Sequence, residues 1–332
     1  MNEPDEASPV SAPNFSISVS GMEENAGRTL AETVGAYIRE ISRYVNMTAL
    51  DGVTIAVDYV EALAGLDRGY ETSYLLTPSS ELVQGIAMAP LVRRDGVIKS
   101  HLMLNANFIH ALSEPEHQDF AQALYLLAHE CAHVELNMAT DRAYPNTLLQ
   151  TAYEDAYEAY RHGTAHVCWD EYGACRISAN FGRDPLSDYA EVFIYHLDET
   201  QARANEAIRA YRTHHDHDRI FSEMTTYYCN LTKAACYLLG HLDGKDISVS
   251  AVPEITVALN DHWFKPYLEQ LTSELRCIWS KYGDWEKDTF EALGDIAVDV
   301  LGEGGMYFTF DHGQVGFRIP YSANTMPADC SE

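Results

Sequence analysis

The sequence predicts an α+β protein: a small antiparallel or mixed sheet with a few helices, followed by a large, mostly helical C-terminal part. Three observations carry this. Stretches between residues 53 and 104 are β-rich and separated by turn signals. From residue 113 onward, apolar residues recur at helical spacing, punctuated by capping residues. Only at 306–319 does the period return to that of a strand.

Residues 1–13, rich in Pro, Ser and acid, read as a disordered tail. Leu30, Val34, Ile38 and Ile41 form one stripe of an amphipathic helix over 26–45. Val53 to Val57 and Leu82 to Met88 are strand candidates, and Arg94-Asp95-Gly96 is a turn leading into a strand over 97–104. Ser113-Glu114-Pro115-Glu116 has the form of a capping box, opening a helix to about Asn137. A helix over 148–161 is expected to break at Gly163-Thr164, with another from Thr164 to about Asn180 and Gly182 as its cap. Further helices are expected near 188–212, 217–242, 261–281 and 284–301. The last element is a hairpin, Met306 to Phe310 and Val315 to Ile319 around Asp311-His312-Gly313-Gln314.

Composition narrows the function. The 332 residues are 46% hydrophobic, enough for a sizeable core. Acidic residues outnumber basic ones 50 to 22, a formal net charge of -28, so no nucleic acid and no anionic membrane is expected as a partner. A basic protein or peptide substrate is compatible with that charge, as is simple self-repulsion. The 7 cysteines are odd in number and form no C-x-x-C pair, which points to reduced thiols and a cytoplasmic location. The opening Met1-Asn2-Glu3-Pro4-Asp5-Glu6 has no basic and apolar leader regions, and no run of 18 apolar residues occurs.

The chemistry concentrates at His129-Glu130-Cys131-Ala132-His133. Residues at i and i+4 of a helix lie one turn apart on the same face, so His129 and His133 can grip one metal ion. Glu130, next to the first ligand, can reach a metal-bound water as general base. A catalytic zinc usually has three protein ligands and an open position, so a third ligand is required. Glu171 is the leading candidate, with Asp170, His162 and His166 as alternatives. On a helix, Val167, Ala174, Cys175 and Ser178 would flank Glu171, and these modest side chains would let its helix press against the first. Glu154 and Glu158 read as a solvated face, and His214, His215 and His217 as a surface loop or a second metal site.

The H-E-x-x-H helix with a downstream Glu-x-x-Ala, Glu171 to Ala174, resembles the zincin metallopeptidases of the gluzincin type, with an ImmA/IrrE-like flavour. The resemblance spans about residues 97–181. It implies a zincin-like core in a domain over 14–185, followed by the helical region 186–332. It also implies one Zn2+ per chain on His129, His133 and Glu171, with Glu130 as catalytic base. Ala132 stands where many relatives have Gly, and Cys175 where some have an Asp behind a ligand His. The metzincin pattern fails, since its third His would fall at Ala139. A third His, as in SprT-like proteins, belongs to proteins that act on DNA, which the charge disfavours. The aspzincin signature would use Gly163-Thr164 and Tyr172-Gly173, but Asp170 sits at the wrong spacing.

The expected activity is hydrolysis of a peptide bond in a specific intracellular protein. The competing classes are an inactive zincin-fold binding or regulatory module, and a zinc hydrolase of a non-peptide amide or ester. Glu130 favours turnover, because a purely structural site would not need that carboxylate. A transition state of this kind usually has a further oxyanion donor. Tyr172 is a candidate, beside Tyr153, Tyr157 and a His of the helical half. Substrate addition along the strand ending near Asn105 is a further expectation. Substrate identity and oligomeric state stay open.

Overall fold

The structure is a computed structural model that describes residues 9–73, 75–77, 86–149 and 152–326. It is α+β, with ten helices, a small mixed sheet and a separate two-stranded sheet among the described residues. The chain divides into two compact units. Unit 1 comprises Met1–Gln150 and Gly173–Asp184, and unit 2 comprises Thr151–Tyr172 and Pro185–Glu332.

Unit 1 runs β1 (Ser16–Ser20), α1 (Glu24–Ile41), β2 (Leu50–Ala56), α2 (Tyr59–Ala64), β3 (Ala87–Met88), β4 (Leu91–Arg94), β5 (Val97–Asn105), α3 (Ala106–Ile109) and α4 (Phe120–Ala143). The sheet order is β1-β2-β5-β3, with β4 also on β5. β1, β2 and β5 are mutually parallel, while β3 and β4 run antiparallel to β5, so the sheet is mixed. Alternation along the strands assigns the two faces. Val53, Ile55, Leu102 and Leu104 join Leu30, Val34 and Ile38 of α1 and Leu127, Ala128 and Cys131 of α4 in one core. Met103, between two of these, points the other way and packs with Tyr59 and Leu63 of α2. The metal-motif helix is therefore seated on the sheet through the residues between and around its histidines.

Several sequence expectations change here. Ser11, expected in a disordered tail, donates its hydroxyl to the carbonyls of Ser42 and Val45 at 2.6 and 2.9 Å. Most of the strand expected over 82–88 lies outside the described residues, and its end is β3. The capping box does not start a helix. Ser113 closes a 3-10 turn, and successive turns follow, with His117 N–H on the Glu114 carbonyl and Phe120 N–H on that of His117. Residues 114–116 are exposed, so a helix there would have no apolar face to bury. α4 begins at Phe120 and runs past Asn137 to Ala143.

α5 (Ala156–Ser178) is one helix, with no break at Gly163-Thr164. A mid-helix Gly costs about 1 kcal/mol relative to Ala. Burial of Tyr160, Ala165, Cys168, Trp169, Tyr172 and Cys175 along α5 outweighs it. The division between the units falls inside this helix, between Tyr172 and Gly173. Residues 151–172 group with unit 2 rather than with the domain expected over 14–185. There the Tyr160 hydroxyl donates to the Ala297 carbonyl, and Arg161 pairs with Glu291 and Asp295. After α5, Gly182 (φ +59) lets the backbone pass the Ala121 carbonyl, which a Cβ would meet at 2.2 Å.

Unit 2 continues with α6 (Leu186–His214), α7 (His217–Gly244), α8 (Pro253–Ala258), α9 (Lys265–Ser280), α10 (Glu291–Glu303), β6 (Tyr307–Asp311) and β7 (Gln314–Arg318). α6 ends on left-handed His215, and Asp216 caps α7 by accepting from Arg219 N–H. The helix expected over 284–301 starts only at Glu291, and that expected from 261 starts at Lys265. β6 and β7 form their own sheet, with Phe308 against Tyr157 and Phe221. Among the described residues no helix is long and apolar enough to cross a membrane.

Candidate metal centre

α4 turns His129 and His133 to the same point. Their Nε2 atoms are 3.1 Å apart, and the rings meet edge to face at 4.8 Å. Both His129 (9% exposed) and Glu130 (8%) are buried. Cys131 lies on the opposite, core-facing side of the helix. Burial, and secondarily the Glu130 carboxylate, push the Cys131 thiol well above its ordinary value. The middle of the motif therefore offers a neutral thiol and no competing ligand. The same two causes, in the same order, raise the Tyr59 hydroxyl.

α5 carries the third candidate ligand, and the part of this helix that follows it makes contacts inside unit 1. A Cβ on Gly173 would lie 2.6 Å from Leu136 Cδ2, so any larger residue there would force Leu136 to shift. Cys175 Sγ lies 3.9 Å from His129 Nδ1, and Ala174, Cys175 and Ser178 are fully buried. Two residues before Gly173 on the same helix stands Glu171. His129, His133 and Glu171 each offer one ligand atom, and these atoms all lie within 4.8 Å of one another. Asp170, His162 and His166 are not in this group. Of the residues expected to flank Glu171, Ala174, Cys175 and Ser178 are buried, and Gly173, outside that set, meets Leu136. Gly173→Val is expected to destabilise the fold by about 1–3 kcal/mol through overpacking against Leu136. A denaturant melt measures that loss, and a metal titration reads the accompanying displacement of Glu171.

The donors fit a small divalent ion. Two nitrogens bound at about 2.1 Å on a tetrahedral ion stand about 3.4 Å apart, close to the spacing found between the histidines. Two imidazoles and a carboxylate suit borderline transition metals. Cys175, behind His129 Nδ1, takes the place where ligand histidines usually have a partner that fixes the tautomer.

Other expected site residues lie elsewhere. Tyr172 is fully buried, and its hydroxyl donates to Asp243 Oδ2 at 2.7 Å. Asp243 also holds Arg276. The expectation of Tyr172 as oxyanion donor is therefore corrected: its hydroxyl is committed to the largely buried Asp243 carboxylate, which also pairs with the half-exposed Arg276. Tyr153 stacks on His162, and Tyr157 is wedged between Phe308 and Phe310. His214, His215 and His217 surround the Tyr211 ring at the exposed α6–α7 turn. Strand addition at β5 is also corrected, since β5 is an interior strand flanked by β2 and by β3 and β4.

Sequence reasoning missed Tyr237, whose hydroxyl donates to Glu171 Oε1 at 2.8 Å. Its ring stacks on Tyr189 at 5.5 Å with an interplanar angle of 1°. The only sequence signal was Tyr237 and His241 at i and i+4 in a helix that otherwise reads as core. No protein-family model, curated protein or solved structure matches the chain.

Proposed function

We propose that this chain is a zinc-dependent metallopeptidase of the gluzincin type, hydrolysing a peptide bond in a specific intracellular protein. The convergence of His129, His133 and Glu171, with the buried Glu130 next to His129 in the chain, supports this reading above all. In it the mixed sheet and α4 of unit 1 correspond to a zincin core. When bound, zinc would lower the pKa of a water at its open position and polarise the substrate carbonyl.

The chain supplies the rest. His129 and His133 donate Nε2, and Glu171 donates a carboxylate oxygen. Glu130 is adjacent to the first ligand, takes the proton of the attacking water and delivers it to the leaving amine. Its burial strengthens its interaction with charge that develops in the transition state. A binding-only module would gain nothing from an ionisable group there, since desolvation makes it costly. The net charge of -28 favours a basic substrate segment. The free thiols Cys131, Cys168, Cys175, Cys229, Cys236 and Cys277 suit a reducing, cytoplasmic setting.

The test is proteome-wide mapping of new N-termini after incubating a cell extract with the zinc-loaded chain. A small set of cleavages, abolished by a zinc chelator, is expected. An unchanged N-terminal profile would contradict peptidase activity and leave the non-peptide amide as the competing substrate class.

A further inference from the structure

We infer that Tyr237 is a positioning residue for the metal centre: its hydroxyl holds Glu171 by one oxygen, so that the carboxylate binds metal through the other and leaves a coordination position open. The inference rests on the metallopeptidase reading above and adds to it how the third ligand is aimed.

A carboxylate has two oxygens and can bind an ion through one or both. Which it does decides how many positions remain for water and substrate, and a catalytic site needs one. Glu171 is the mobile member of the triad, because its side chain has more rotatable bonds than an imidazole held at i and i+4. The Tyr237 hydroxyl donates to Oε1 at 2.8 Å, a charge-assisted bond. It occupies a lone pair of that oxygen and fixes the rotation of the carboxylate. The hydroxyl is itself held. Tyr237 lies on α7, with Cys236, Leu238 and Leu239 beside it buried in unit 2. Its ring is stacked parallel on Tyr189 of α6. The Tyr189 ring also contacts His241, one turn on from Tyr237, at 6.0 Å. α6 and α7 thus brace the donor, with the Tyr189 ring stacked on Tyr237 and the Tyr237 hydroxyl bonded to Glu171. This gives the helical region, which carries no motif, a part in the metal centre.

The test uses the full-length chain and Tyr237→Phe, which keeps the ring and its stack and removes only the hydroxyl. Zinc affinity is measured by competition with a chelator. The visible spectrum is recorded after loading with Co2+, whose absorption weakens as its coordination number rises. Tyr237→Phe is expected to bind zinc about 10- to 100-fold more weakly. Its Co2+ bands are expected to weaken as Glu171 turns both oxygens to the metal, while the zinc-free protein melts as the wild type does. Equal affinity and an identical Co2+ spectrum would overturn the inference while leaving the metal site intact. No metal binding by the wild type would overturn both this inference and the reading it rests on. A loss of affinity with an unchanged Co2+ spectrum would also overturn it, since that marks general loosening rather than a change in how Glu171 binds.

Discussion

Glu130→Gln is expected to abolish turnover while leaving the metal in place. The substitution preserves size and shape while exchanging one acceptor oxygen for an NH2 donor and removing the charge, so His129 and His133, whose ring nitrogens lie 3.1 Å apart, keep their geometry. What would be lost, on the proposed mechanism, is the group that takes the proton from water and returns it to the leaving amine. General acid–base catalysis contributes roughly 10²- to 10⁴-fold, so a fall in kcat of that order is expected, with KM little changed. Removing the Glu130 charge also lifts one of the two influences that raise the neighbouring Tyr59 and Cys131 groups. Both should then titrate somewhat lower in the variant, although burial keeps them neutral near pH 7. Kinetics on a cleaved peptide, with zinc content measured in parallel, checks this. Equal turnover would remove Glu130 from the mechanism.

Removing the metal is expected to destabilise the wild type strongly and His129→Ala hardly at all. A ligand that binds the native state alone stabilises it by about 4 kcal/mol at a thousand times its Kd. For a protein of this size that corresponds to a shift in Tm on the order of 10 °C. The ligands sit on α4, which packs in the core of unit 1, and on α5, which continues into that unit. Metal binding should therefore resist separation of the two helices. Melting curves with zinc and with excess chelator are the measurement. A wild type indifferent to chelator, or a His129→Ala variant with the same shift, would contradict the assignment of the ligands.

The parts of the site that were legible in the sequence are those set by local geometry. His129 and His133 are one turn apart, and any helix brings them together. Glu171 is 38 residues further on, and its placement could be read because small residues on its own helix mark a close contact. Ala174, Cys175 and Ser178 are buried there, and Gly173, outside that set, meets Leu136. Tyr172 differs because its hydroxyl goes to Asp243, 71 positions away, a partner that no local pattern reveals. Tyr237 was illegible because it bonds a residue 66 positions away, and nothing in its neighbourhood sets it apart from core.

The elements follow the same division. Periodic apolar faces located α1, α6 and α7, and β-rich composition with the Asp95-Gly96 turn located β2 and β5, while the punctuation at Ser113 and Gly163 misled. The capping box at Ser113 has no apolar face behind it. Gly163 costs too little to end a helix that buries Trp169 and Tyr160. The interior position of β5 depends on which strands pair, a long-range choice that no local pattern records.

The most direct test of the central claim is the zinc content per chain, by elemental analysis, of wild type, His129→Ala, Glu171→Gln and Asp170→Asn purified without chelators. The expected result is about one zinc in the wild type and in Asp170→Asn, with His129→Ala and Glu171→Gln close to empty. No zinc in the wild type, or full zinc in Glu171→Gln, would contradict it.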